Sequence, residues 1–162
     1  MANALVPDDF AVPASFVGDG YRLEMLTPAV AELDYDAVIS SKGSLRTVFS
    51  ANDPWPAHDL TLADNVADLR KHESEFHARQ AFAYTVLAVS GDLCLGCVYI
   101  YPSTVARYDC EMYLWVRSSA LYLDEKLHND MRAWLQSHWP FEQPAFPGRE
   151  IPWTQWPGNR HI

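Results

Sequence analysis

The chain has 162 residues, with 12 Lys and Arg against 21 Asp and Glu for a formal charge of −9; 49% of its residues are hydrophobic and 13% aromatic. A chain of this length buries roughly two thirds of its unfolded surface, so one domain can hold together without a disulfide or metal staple, and the aromatic content excludes wholesale disorder. No apolar run approaches the ~18 residues of a membrane span. No Lys or Arg precedes Arg22, so the first twenty residues lack the basic start of a secretory signal, and a cytoplasmic protein is expected. The acidic balance excludes an extended nucleic-acid surface, which needs Lys and Arg to neutralise phosphates. Arg70, Lys71 and Arg79 are interleaved with Glu73 and Glu75, the pattern of a solvated helix face.

In chain order, residues 1–19 carry Pro7, Pro13 and Gly18 without periodicity and read as an extended arm; residues 20–162 form the domain. Tyr21 to Leu26 alternates as a half-buried strand, and Thr27-Pro28 is an N-cap followed by Pro at the first helical position, opening a helix to about Ser40. Lys42-Gly43 closes it. A short helix is predicted near Leu45 to Ser50, then a rigid loop through Pro54 and Pro56. Thr61 caps a helix that presents Leu62, Val66, Leu69 and Phe76 on one stripe and ends near Arg79. Strands follow at Ala81–Val89 and Leu93–Tyr101, joined by Ser90-Gly91-Asp92, and at Asp109–Arg117. Ser118 or Ser119 then caps a helix carrying Leu123, Leu127, Met131, Trp134 and Leu135. The tail from Trp139 holds five of the eleven prolines and three of the six tryptophans, with Glu150–Trp156 its one candidate strand. With Phe141 and Phe146, these tryptophans can cover a sheet edge, line a pocket or form a homodimer contact.

The order implies an α/β fold with a mixed sheet flanked by helices. The seven glycines form neither nucleotide-binding loop nor a GxSxG elbow, which removes kinase, Rossmann and lipase-type readings. Cys94-Leu95-Gly96-Cys97 matches CxxC, a redox pair or half a zinc site. On a regular strand, residues three apart point to opposite faces, so the sulfurs are expected to diverge and to be small buried hydrophobes, with no metal bound. His72-Glu73 with His77 misses the HExxH spacing by one residue; at about 140° apart on a helix the two imidazoles cannot share an ion, and a solvated face is expected. His58, His128, His138 and His161 have no partner in sequence.

The segments LCLGCVYIYP, DCEMYLWVR and SSALYLDEKLHNDMRAWL, from Leu93 to Leu135, together resemble the core of the GNAT acyltransferase superfamily: a hairpin, a central strand, and a helix whose N-terminus faces the cofactor. The resemblance implies a mostly antiparallel GNAT-like sheet, cut short after the central helix, and acetyl-CoA or another acyl-CoA as cofactor. It places the backbone of Tyr113, Leu114, Trp115 and Val116 against pantetheine. Arg117 and the amides of Ser118, Ser119, Ala120 and Leu121 then fall at the pyrophosphate, where orphan N–H groups and the positive helix end form an anion site. Glu111 stands where the family often carries its general base, with Tyr99 and Tyr101 on the neighbouring strand lining the substrate pocket. Rings beside the carboxylate would raise its pKa by desolvation.

Two departures qualify this. The family's Gln/Arg-x-x-Gly-x-Gly/Ala loop is here Arg117-Ser118-Ser119-Ala120-Leu121-Tyr122, so Ala120 and Tyr122 replace the small residues. Losing two charge-assisted contacts at roughly 1.5 to 3 kcal/mol each weakens CoA by about two to four decades. The residues after the central helix are also too few for the family's remaining strands and its tyrosine acid. The resemblance therefore implies N-acyl transfer to a small amine, without nucleic acid or membrane partners. The alternative is a GNAT-like binding or interaction module that has lost catalysis.

Overall fold

The computed structural model describes residues 4–158. Its centre is a six-stranded sheet in sequential order: β1 (Ser15–Val17), β2 (Tyr21–Met25), β3 (Phe82–Ala88), β4 (Cys94–Tyr101), β5 (Cys110–Val116) and β6 (Pro144–Ala145). Every pairing is antiparallel except β5 with β6. Four helices accompany it: α1 (Ala31–Ile39), α2 (Lys42–Leu45), α3 (Leu62–His77) and α4 (Asp124–His138).

Alternation along the strands divides the interior in two. Met112, Leu114 and Val116 of β5 face α4 and join Leu127, Met131, Trp134 and Leu135. Tyr113 and Trp115 face the other way, with Tyr99, Tyr101 and Cys97 of β4, and are covered by α1, α2 and α3. Because both faces are covered, all of β4 and β5 are buried, and polar residues on them must find partners inside the protein.

The sequence expectations for β2 to β5 and for α3 and α4 hold to within a few residues. Thr61 forms a full capping box with Asp64, each side chain bonding the other's backbone amide. Four segments differ. Part of the arm is strand β1, and its described residues before β1 are anchored by Leu5 N to Arg79 O and by the Tyr84 hydroxyl to Pro13 O. The short helix is at Lys42–Leu45 rather than 45–50, so it begins at the Lys42-Gly43 pair expected to close the preceding helix, and Leu45 and Phe49 both reach the core. The segment before α4 is a 3-10 stretch, Ser118–Leu123, kinked at Ala120, which is buried against the α4-side core. Pro144–Ala145 takes the place beside β5; Glu150–Trp156 has only a bridge at Ile151 and a 3-10 turn at Trp153–Gln155.

One irregularity matters for chemistry. Val86 pairs with Gly96, but Leu87 pairs with Cys94, so Leu95 is an extra residue in β4. This bulge resets the alternation: Leu95 joins the α4-side core, while Cys94 and Cys97 both face α1. The expected divergence of the two sulfurs is thereby overturned, since it assumed an unbroken strand.

Candidate active site

The strands β5 and β6 pair at only two positions, Cys110 with Pro144 and Glu111 with Ala145. Asp109 secures this start of the parallel pair by accepting the backbone amides of Glu142 and Gln143. Beyond Ala145 the chain turns away through Pro147 and Gly148, the latter at φ 80°, a conformation that suits glycine. The separation leaves a cleft of about 290 Å³ lined by Met112 to Val116, by Pro147 to Arg149, and by Ser44, Leu45, Thr47 and Val48. The backbone of Tyr113, Leu114, Trp115 and Val116 thus borders an open cleft instead of another strand.

Arg149 reaches into this cleft. Its guanidinium donates two hydrogen bonds to the Asp124 carboxylate, at 2.7 and 2.8 Å, and one to Leu114 O at 3.3 Å. Hydrogen bonding to that guanidinium holds the Asp124 carboxyl below the usual range. No sequence motif marks Arg149, which lies in the segment assigned to the tail; its one local signal is the Pro147-Gly148 turn before it.

Arg117 points elsewhere. It is buried and donates to Cys94 O, Asp36 and Ser40 Oγ, fastening the end of β5 to α1. The amide of Ser118 donates to Ser41 Oγ and that of Ala120 to Arg117 O. The Ser118 and Ala120 amides expected at the pyrophosphate are therefore engaged within the protein, and Ser119 and Leu121 belong to the same 3-10 stretch, with the Leu121 and Tyr122 side chains exposed.

Glu111 is fully buried and stands on β5 where that strand still pairs with β6, opposite Ala145 and one residue before the stretch that borders the cleft. Its Oε2 accepts from Thr104 N at 2.6 Å, Thr104 Oγ1 at 2.8 Å and Ser103 Oγ at 3.2 Å, and its Oε1 accepts the Tyr113 hydroxyl at 2.6 Å. These donors match the acceptor capacity of a carboxylate and hold it in one orientation.

A second cavity of about 160 Å³ lies between α1, α3 and β4, lined by Asp34, Asn65, Asp68, His72 and Glu75 together with Phe49, Trp55, Tyr99 and Tyr101. The Tyr99 hydroxyl accepts from Trp115 Nε1 at 3.0 Å, and the Tyr99 and Tyr101 rings stack 6.1 Å apart. Phe49 stands between cavity and cleft, 5.1 Å from the Tyr99 ring and 5.3 Å from that of Tyr113. The fold therefore brings Tyr99, Tyr101, Glu111, Tyr113 and Trp115 onto one face, and adds Asp34, Phe49, Trp55 and Asp68, which no sequence motif marked.

His72 does not lie on a solvated face. Its side chain is 12% exposed and packs 5.5 Å from the Tyr99 ring, because α3 turns this position toward the sheet. Burial, with repulsion from Lys71 added, lowers its pKa to about 4 despite Glu75 at 3.7 Å. The unfolded chain, with an ordinary histidine near 6.5, then binds more protons between those values, so stability is full above about pH 6.5 and falls as pH drops toward 4. The loss should approach roughly 3 kcal/mol, since each pH unit between the two values is worth ~1.4 kcal/mol. Denaturant unfolding at about pH 7 and about pH 5 should show this slope, and His72→Phe should remove its share. An unchanged slope would place His72 in water. Of the other histidines, His128 bonds Glu150 and His138 bonds Ser137, while His161 lies outside the described residues.

No family model matches the sequence, and no curated protein does. Solved structures do match the fold. The ribosomal-protein-S5-alanine acetyltransferase from Vibrio fischeri superposes with a TM-score of 0.61 at 14% identity, over 76% of this chain and 67% of that one. The fold is that of the GNAT acetyltransferases. The microcin C7 self-immunity acetyltransferase MccE, solved with acetyl-CoA and AMP, matches with a TM-score of 0.58 at 14% identity over 74% of this chain and 62% of its own. A Salmonella typhimurium enzyme that modifies the N-terminal serine of ribosomal protein L7/L12 matches at 0.55 and 9% identity, over 74% and 66%. The chain thus spans about two thirds of these GNAT proteins. Among its described residues, no helix is long and apolar enough to cross a membrane.

Proposed function

We propose that the chain is an acyl-CoA-dependent N-acetyltransferase that transfers acetyl to a small cationic amine. The observation that carries this reading is the parting of β5 from β6 around a cleft bordered by β5 backbone, together with a separate acidic and aromatic cavity on the other side of Phe49. The cleft suits an extended amide-bearing arm, since the groups from Tyr113 to Val116 lack a neighbouring strand there. Acetyl-CoA supplies the activated thioester. Arg149 provides the cation for its phosphates at the start of α4, in place of the degenerate loop, and Arg117 fixes that start against α1. Within the cavity the carboxylates of Asp34, Asp68 and Glu75 outnumber the single cation Lys71 and attract an ammonium group, and the rings of Trp55, Tyr99 and Tyr101 give it cation–π faces. Glu111 takes the amine proton through the Tyr113 hydroxyl that it orients.

Incubation with acetyl-CoA and a panel of diamines, aminoglycosides and short peptides should release free thiol with at least one small polyamine-like acceptor, and Phe49→Trp should suppress it by filling the cavity that Phe49 lines. Turnover confined to peptide amino termini would replace the small acceptor with a protein one. Absence of turnover with every amine would remove the reading.

One observation favours a second reading, a GNAT scaffold without catalysis: Arg149 already occupies the cleft, bonded to Asp124 and Leu114 O. The two readings differ in the sign of one result. If Arg149 is a ligand, Arg149→Ala weakens CoA; if it is a plug, the same change creates or strengthens CoA binding.

A further inference from the structure

Behind the cavity, the bulge at Leu95 assembles three potential ligands. A carboxylate oxygen of Asp34 and the sulfurs of Cys94 and Cys97 all lie within 4.8 Å of one another, and all three residues are buried. We propose that Asp34, Cys94 and Cys97 form a binding site for a thiophilic divalent cation of the zinc class. The inference is independent of the acyltransferase reading.

The ligand types and spacing fit. With Zn–S near 2.3 Å and Zn–O near 2.1 Å, tetrahedral coordination sets ligand atoms about 3.5 to 3.8 Å apart. The three atoms here already lie within roughly an ångström of that arrangement. Cys97 Sγ is 3.2 Å from Asp34 Oδ1, and Asn65 Nδ2 donates at 2.9 Å to Asp34 Oδ2. Orientation of the carboxylate by a buried amide on its other oxygen is the usual support of a metal ligand. Thr85 Oγ1, 3.7 Å from Cys94 Sγ, stands beside the second sulfur.

The charge pattern agrees. Asp34 is 3% exposed in a largely apolar cluster, and the side chains that hydrogen-bond it are neutral donors, Asn65 and the Cys97 thiol, rather than a Lys or Arg. A buried carboxylate without a cation is costly. A divalent ion gives the carboxylate a direct cationic partner: the two thiols give their protons to solvent, and three negative ligands surround a 2+ ion, which spreads the same net charge of −1 over the whole site. Because Asp34 lines the cavity, a water there completes four ligands. Coordination by two thiolates favours zinc-class ions over magnesium or calcium, which prefer all-oxygen sites.

Chelator-stripped, fully reduced protein should be titrated with cobalt(II), followed by zinc. Thiolate-to-cobalt charge-transfer absorption should saturate at one ion per chain and bleach when zinc is added. Cys97→Ala should abolish the band, Asn65→Ala should weaken binding about 10- to 100-fold with both thiols retained, and Cys110→Ala, which alters the one cysteine outside the cluster, should leave it intact. If Cys97→Ala fails to fold, the wild-type and Asn65→Ala titrations still decide. No charge-transfer band from protein with three free thiols, or a band unchanged in a folded Cys97→Ala variant, would overturn the proposal.

Discussion

Replacing Glu111 with glutamine should lower kcat/KM about 10²- to 10⁴-fold, the usual contribution of a positioned general base, while acetyl-CoA affinity stays unchanged. The substitution is isosteric, and the geometry tells which oxygen the amide replaces. Oε2 accepts three donors from Ser103 and Thr104, so the glutamine carbonyl keeps that place and the NH₂ turns toward the Tyr113 hydroxyl, which can accept from it. The fold is preserved and the proton acceptor is gone. Glu111→Ala separates the structural share: it leaves several buried donors unpaired, each costing about 1 to 3 kcal/mol, and should visibly destabilise the protein. Tyr113→Phe should lose activity as the Gln variant does but keep the carboxylate's hold on the 103–104 loop. Wild-type turnover by Glu111→Gln would make the residue an anchor for that loop and nothing more.

Gly96→Ala should be the most destabilising single methyl in the sheet. A Cβ at this position would lie 2.0 Å from Trp115 O, 2.9 Å from Trp115 C and 3.0 Å from Val116 Cα, all backbone atoms of the paired strand β5. No rotamer change relieves contacts with backbone. Either the β4–β5 ladder opens or the bulge unwinds, and a cost of at least about 3 kcal/mol follows. For a chain of this size that lowers Tm by roughly 6 to 12 °C, readable by thermal unfolding. Since the bulge also sets Cys94 and Cys97 on one face, the variant should lose cobalt binding in parallel. Wild-type stability in Gly96→Ala would mean that β4 can run without the bulge.

These two residues show where the sequence is legible and where it stops being so. Alternation alone places Glu111 and its neighbours on their strand, because Cys110 to Val116 keeps a strict period of two and both faces are apolar enough to be recognised. The capping box of Thr61 and Asp64 is likewise local. The bulge is not, since it exists only in how Cys94 to Gly96 pair with Val86 and Leu87 of the distant strand β3. Strand β6 has two residues and gains its identity only by lying beside β5. Arg149 and Asp124 are 25 residues apart and meet because the chain turns at Gly148. The expected role of Arg117 rests on the family resemblance, whereas its side chain follows Asp36 and Ser40, which no motif links to it.

The proposed activity depends above all on the cleft between β5 and β6 holding acyl-CoA with Arg149 on its phosphates. Calorimetric titration of acetyl-CoA into the wild-type protein and Arg149→Ala at low salt tests this most directly. Binding is expected in the micromolar range, with one site, weakened at least ~10-fold by the substitution and reduced by added salt. Heat that stays at baseline up to millimolar acetyl-CoA, or binding that emerges only once Arg149 is removed, would contradict it.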